Sequence, residues 1–366
     1  MLPAVLLLIA ALRLTLLLRQ RAALRTQDQA YAMGLVTQRV GQQLWQQGWP
    51  LLLLALMPLL KGDEPLRLFA LLIAGWLWEL PLKACKPFGL DARHGMNRMS
   101  VAAFLREQAI KLALLAALAL PAAWLALILI RHSEPQAWLA IWAIGWGGWA
   151  GLRWLQPRWI APLFDQVEPL PAGELRSRLE ALLTRSGVRN QRLFLLRASA
   201  RSAQANAQVS GSARVPRIVL SDTLIGLLKA DEIESVVAHE LGHIQRGHLR
   251  FQLLMIGAAS FAMVMIAAAL TADIAEPVAK LAIAWALLPS LWFFALPLAN
   301  YWYRRFEFEA DASAASHASG AALASALRTL THNNRNAPIA DRWYERVYHT
   351  HPATSDRLDR LDRAGT

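Results

Sequence analysis

Seven apolar blocks dominate this sequence, near 2–18, 44–60, 66–82, 110–131, 137–156, 252–272 and 278–302. A helix needs roughly 20 mostly apolar residues to cross a bilayer, because its backbone polar groups must be satisfied within the segment. The block at 110–131 meets this without interruption; the first is short and carries Arg13, and the second becomes apolar only after Gln46 and Gln47. With 55% hydrophobic and 17% charged residues, the chain is too apolar for an ordinary soluble two-domain protein. The expectation is a mainly α-helical integral membrane protein with about seven transmembrane helices.

The first block lacks a basic segment before it and a small-residue cleavage site, while Arg19, Arg21 and Arg25 follow it directly. That is the pattern of a retained helix with its N-terminus outside, not of a cleaved signal peptide. The loop after the first span holds Arg21, Arg25 and Arg39, and the loop after the third holds Lys86, Arg93, Arg98 and Arg106. The hairpin between spans six and seven has Asp273 and Glu276 instead. Basic residues collect in cytoplasmic loops, so region 157–250 and the tail after span seven are expected to face the cytoplasm. The net charge of +12 therefore reads as loop asymmetry. No basic segment is interleaved with aromatics as a nucleic-acid platform requires, so no nucleic-acid partner is expected. One cysteine, Cys85, excludes an internal disulfide framework and a cysteine-based zinc site. Arginine outnumbers lysine, and alanine and leucine abound, a compositional hint of a GC-rich bacterial gene and hence of a bacterial inner membrane.

Region 157–250 differs in kind. GELRSRLEALLTRSG (173–187) predicts an amphipathic helix ending at a glycine, and RLFLL, NAQVS and RIVLS predict short strands. A further helix is expected from 231, with Asp231 as N-cap and Glu234 completing a capping box, running on toward span six. Four parts follow: five spans in 1–156, a cytoplasmic catalytic part in 157–250, a two-span hairpin in 251–302 and a C-terminal catalytic part in 303–366.

His239-Glu240-Leu241-Gly242-His243 carries the chemistry. Histidines four apart share a helical face and can bind one ion, and Glu240 can reach a metal-held water without ligating. The plainer reading is two solvated histidines. A catalytic zinc takes three protein ligands, and a third histidine six residues on is absent, since Arg246 and Leu249 stand at the positions such a motif needs. His248 is five residues from His243 and about 140° round an uninterrupted helix, so it reads as a surface or packing histidine. Spans six and seven, as an antiparallel pair, return the chain to the same side and deliver RRFEFEADASA beside the metal helix. Glu307 and Asp311 lie four apart on one face, with Arg304 three before Glu307. That offers a third ligand, a supporting acid and a cation to hold them. Glu309 points elsewhere by helical phase.

These residues resemble the CAAX prenyl protease type 1 (sterile-24) family of membrane gluzincins. The resemblance covers LPLKACKPFGLDARHGMNRMSVAAFLREQAIK (80–111), IAPLFDQVEPLPAGEL (160–175), RSAQANAQVSGSARVPRIVLSDTL (201–224), AHELGH (238–243), RRFEFEADA (304–312) and HPATSDRL (351–358) in order. It implies one Zn²⁺ on His239, His243 and Glu307, with Glu240 as base and Asp311 orienting the site. It further implies that Asn206 and Ala207 lie on an edge strand pairing with an extended substrate. His351 would stabilise the tetrahedral oxyanion, although by itself it reads as a surface histidine before a proline turn. The architecture implied is seven helices enclosing a water-filled chamber, with a small cytoplasmic α+β gluzincin domain. Arg13 and Glu79 at span depth should line that interior, snorkel or fix helix packing. Tyr303 departs from the family, which usually has serine there.

The function expected is a zinc metalloendopeptidase acting on peptides or proteins, lipid-modified, membrane-associated or entering the chamber, with membrane lipids as the other partner. The alternatives are a membrane quality-control metalloprotease similar to the heat-shock family, with fewer spans before the metal helix, and a catalytically inactive scaffold.

Overall fold

The computed structural model describes residues 2–25, 30–56, 59, 62–133, 136–188, 192–212, 215–335 and 341–364. The first five apolar blocks lie in α1 (Leu2–Arg25), α2 (Ala30–Leu56), α3 (Glu64–Ala84), α4 (Val101–Ser133) and α5 (Ala137–Leu155). The end of the second block at 57–58 and 60 falls outside the described residues, as does the side chain of Arg25. α3 continues into a π-helical stretch, Cys85–Asp91. The extramembrane part follows with β1 (Val167–Pro169), α6 (Glu174–Arg185), β2 (Arg192–Leu196), β3 (Ala207–Ser212), β4 (Val215–Ser221), α7 (Asp222–Leu227) and α8 (Ala230–Gln245). α9 (His248–Leu270) and α10 (Pro277–His317) form the hairpin, and α11 (Gly320–Asn333), α12 (Arg342–Tyr348) and α13 (Thr354–Ala364) complete the chain.

Among the described residues, four segments are long and apolar enough to cross a membrane: Glu64–Asp91, Val101–Ser133, His248–Leu270 and Pro277–His317. The other three blocks are helical, but their composition is mixed. α1 carries Arg13, Arg19 and Arg21, α2 carries Gln38, Gln42, Gln43 and Gln46, and α5 alternates tryptophans with glycines. α5 is nonetheless fixed to α9, where Trp142 Nε1 donates to the Gly257 carbonyl at 3.2 Å and to Ser260 Oγ at 3.1 Å. Leu118, Trp154, Leu254, Trp285 and Leu298 point outward and are at least half exposed. Such an apolar exterior would be costly in water and is neutral in lipid. Arg13 is buried, with Nη2 donating to the Pro289 carbonyl at 2.7 Å and its guanidinium over the Phe293 ring. It ties α1 to α10, the packing role expected of a charge at that depth.

The extramembrane core is a four-stranded sheet in the order β1-β2-β4-β3. β2 runs parallel to β4, and β1 and β3 run antiparallel to their neighbours, which leaves β3 on an edge. Leu179, Leu182 and Leu183 of α6 pack with Ile218 and Leu220 of β4 and with Val237 and Leu241 of α8, each at most 1% exposed. Full burial of a leucine contributes roughly 1.5–3 kcal/mol, so this cluster anchors the metal helix to the sheet. α6 stops where expected, at Gly187 with φ 76°.

Two expectations at α8 are corrected. Its N-cap is Lys229, whose N–H is accepted by Glu232 at 2.8 Å; Asp231 lies within the first turn and Glu234 pairs with Arg185. The helix begins earlier because Lys229 is the last extended residue, with ψ 161°. Nor does α8 run on into span six. It ends at Gln245, and Gly247, in the left-handed region at φ 72°, starts α9 afresh at His248.

α10 is one helix of 41 residues, about 62 Å long at 1.5 Å per residue. Glu307 stands about 45 Å from its start, well past a hydrocarbon core of about 30 Å. The helix that spans the membrane thus also carries acidic residues to α8. There Gly242 permits a close approach: a Cβ on it would lie 2.9 Å from Ser313 Cβ and 3.2 Å from Ala310 Cα.

Candidate metal centre

His239 and His243 project from α8 toward Glu307 on α10. His239 Nε2 and His243 Nε2 are 3.2 Å apart, His243 Nε2 is 3.3 Å from Glu307 Oε1, and His239 Nε2 is 3.6 Å from Glu307 Oε2. Four-coordinate zinc with ligands at roughly 2.0–2.1 Å holds neighbouring donors about 3.3 Å apart. The three side chains therefore already have the dimensions of one face of a tetrahedral site.

The opposite nitrogens are held so that both Nε2 lone pairs are available. His239 Nδ1 is 2.8 Å from Asp311 Oδ1, which fixes its proton on Nδ1. His243 Nδ1 is 3.0 Å from His248 Nδ1, and His248 Nε2 is 3.2 Å from Glu309 Oε2. Protons pointing outward along this chain, from His243 to His248 and from His248 to Glu309, satisfy every nitrogen except the inward pair. One acceptor is left over: Glu307 Oε2 is buried without a hydrogen-bond partner among the described residues, although Arg357 Nη1 stands 3.2 Å away as an ion pair. A divalent cation bound by two imidazoles and this carboxylate would satisfy it.

Residues 169–364, more than half of the chain, match the family model of peptidase family M48. The chain belongs to peptidase family M48. Residues 64–166, which hold α3, α4 and α5 here, match the model described as CAAX prenyl protease N-terminal, five membrane helices. The chain is 31% identical over 320 residues to a CAAX prenyl protease 1 homolog of Oryza sativa subsp. japonica, covering 82% of this chain and 75% of that one. It is 25% identical over 337 residues to the Homo sapiens CAAX prenyl protease 1 homolog, covering 78% and 70%. In fold it is similar to the crystal structure of S. mikatae Ste24p, with TM-score 0.84 at 21% identity over 98% of this chain and 97% of that one. The chain is a multi-pass membrane metallopeptidase of the sterile-24 type.

Asp311 lies against His239. Arg304 reaches elsewhere. Its Nη1 donates to the carbonyls of Glu345 at 3.1 Å and His349 at 2.8 Å, so it holds the segment leading to His351 and leaves Glu307 alone. The cation at the acids is Arg357 of α13, 8% exposed, whose Nη2 and Nε grip the two Asp311 oxygens at 2.6 and 2.8 Å. Sequence reasoning missed it, although it lies in the quoted segment HPATSDRL, six residues after His351. Of the two readings of His248, the packing one holds: it is 3% exposed, stacked on Phe306 with ring centroids 4.1 Å apart, and braces His243. The break at Gly247 resets the helical phase on which its expected position rested.

His351 Nε2 is 3.5 Å from Glu307 Oε1, and Nδ1 is 2.9 Å from Thr350 Oγ1. Enclosure by protein pushes its pKa below the usual histidine value, although its side chain lies open to the cavity space around it. Burial pushes the Glu240 carboxyl up, opposed by His239 and His243. Two cavities, about 480 and 290 Å³, meet at Glu240, Glu307 and His351. Ala207 of β3 lines the first and Val209 the second. Asn206 turns its backbone to β4, its carbonyl accepting from Ser221 N–H and its N–H donating to Ser221 Oγ, each at 3.0 Å. By strand alternation, the backbone groups of Ala207 and Val209 face away from β4, along the open edge.

Proposed function

We propose that this chain is a zinc endopeptidase that hydrolyses peptide bonds of membrane-associated polypeptides on the cytoplasmic side of a membrane. The triangle formed by His239, His243 and Glu307, with a buried carboxylate oxygen that no hydrogen bond satisfies among the described residues, carries the reading. When bound there, zinc supplies Lewis acidity, lowering the pKa of water and polarising the scissile carbonyl. Glu240, on the same turn as His239 and open to both cavities, takes a proton from the attacking water. As the new C–O bond forms and the C–N bond breaks, Glu240 returns that proton to the leaving amine. Burial pushes its pKa up, the direction that makes a carboxylate the stronger proton acceptor. His351 donates an N–H to the oxygen where negative charge develops. Asp311 holds His239, and Arg357 keeps Asp311 and Glu307 ionised.

The substrate lies extended along β3, its backbone pairing with Ala207 and Val209 while the Asn206 side chain reaches into the first cavity. Peptide on either side of the cut occupies the two cavities. The basic loops after α1 and α3 support a cytoplasmic site, reached from a helix-enclosed chamber. Several relatives are named for prenylated CAAX substrates; in a bacterial host, other membrane-associated peptides would take that place. The test is metal content and peptide cleavage of detergent-solubilised protein, wild type beside Glu240→Gln. Zinc in both, with cleavage only in wild type, is expected; equal cleavage in both would show that Glu240 is not the base, and absence of zinc would overturn the reading.

A further inference from the structure

The free edge of β3 does not continue past Ala205. Asn206 is bonded to Ser221 across the sheet, so Ala205, like Ala207, turns its backbone outward. At Ala205 both outward groups are taken. Asn334 Oδ1 accepts from Ala205 N–H at 3.0 Å, and Asn334 Nδ2 donates to the Ala205 carbonyl at 3.0 Å. A primary amide offers one donor and one acceptor side by side, the same pair that a residue of a neighbouring strand would present. Asn334 thus stands where the next pairing residue of a substrate would stand. It is placed firmly: it caps the C-terminus of α11, and Asn333 Nδ2 donates to Asn334 Oδ1 at 3.1 Å and to the Ala203 carbonyl at 3.4 Å. Ala205, Ala207 and Asn334 line the same 480 Å³ cavity.

We propose that Asn334 is a stop in the substrate groove, a specificity-determining residue that limits how far peptide extends into the first cavity. This rests on the zinc-endopeptidase reading, with substrate paired along β3. The cut falls between the two cavities, opposite Gln208, because Ala207 borders one and Val209 the other. From Gln208 to Ala205 is three residues, about 10 Å of extended chain, so about three substrate residues fit on that side before meeting Asn334. A longer chain must leave the edge or displace the amide.

The test uses full-length zinc-loaded protein and peptides of one cleavable core, lengthened residue by residue on either side. Wild type is expected to lose kcat/KM steeply beyond about three residues on one side and to tolerate length on the other. Asn334→Ala is expected to raise the ratio of long- to short-peptide kcat/KM by about tenfold, since two edge hydrogen bonds become available to substrate. Asn334→Asp guards against misfolding: it keeps an acceptor for Ala205 N–H, frees the Ala205 carbonyl, and should give an intermediate ratio. Zinc stoichiometry checks that each variant is folded. Equal length profiles in wild type and both variants would overturn the stop and leave the peptidase reading intact. Failure of wild type to cleave any peptide would overturn both.

Discussion

Replacing Arg357 with alanine tests how the site keeps buried acids ionised. Asp311 and Glu307 are 3% and 6% exposed, and Arg357 contacts both, through two bonds to Asp311 and an ion pair with Glu307. Without metal, removing the guanidinium leaves two buried carboxylates uncompensated, with Glu240 close by. Breaking a buried pair by deleting one partner costs about 3–5 kcal/mol. Zinc would neutralise Glu307 and leave only Asp311 deprived, so the zinc-loaded variant should lose clearly less than the metal-free one. Asp311 would also hold His239 less firmly, and loss of such support typically lowers metal affinity by about 10–100-fold. Arg357→Lys keeps the charge but cannot grip both oxygens of Asp311, and should fall between. The assay is chemical unfolding in detergent with chelator and with zinc, plus zinc affinity from competition with a chromophoric chelator. Wild-type stability and affinity in Arg357→Ala, under both conditions, would refute the electrostatic account.

Two further outcomes follow from contacts around the centre. Gly242→Ala would put a Cβ 2.9 Å from Ser313 Cβ and 3.2 Å from Ala310 Cα, forcing α8 off α10 and His243 away from Glu307. We expect a loss of about 1–3 kcal/mol together with weaker zinc binding. Gly226→Ala, with nothing within 4 Å of its Cβ, is the matched control. Burial, reinforced by Arg39 and Arg304, holds His349 at about 4, well below its ordinary 6.5. Between those values the unfolded chain binds a proton that the native protein refuses. The stabilisation is therefore complete above pH 6.5 and is lost as pH falls toward 4, about 3 kcal/mol in all. Unfolding followed across that window should show the slope, and His349→Gln should flatten it.

What could be read from sequence followed helical periodicity and chain return. His239 and His243 are four apart within an unbroken helix, so their shared face needed no tertiary knowledge. Glu307 and Asp311 were reachable because an antiparallel hairpin must bring its second arm back to the side the first one left. Each failure has a physical counterpart. The helical phase of α8 does not carry through to His248, because positive φ at Gly247 ends one helix and begins another. Arg304 lies near Glu307 along α10, but its long side chain reaches sideways to the carbonyls of Glu345 and His349 at the end of α12. Arg357 and Asn334 lie 46 and 129 residues from the groups they bind. No periodicity links α13 to α10, or the end of α11 to β3. Both nonetheless do what a local partner would do: a guanidinium fork matches a carboxylate, and an amide matches a strand backbone. The metal-binding face is thus encoded locally. Its electrostatic support, and the length of groove open to substrate, are encoded by the packing of the C-terminal helices, so substitutions there should change metal affinity and cleavage pattern while the HExxH segment stays intact.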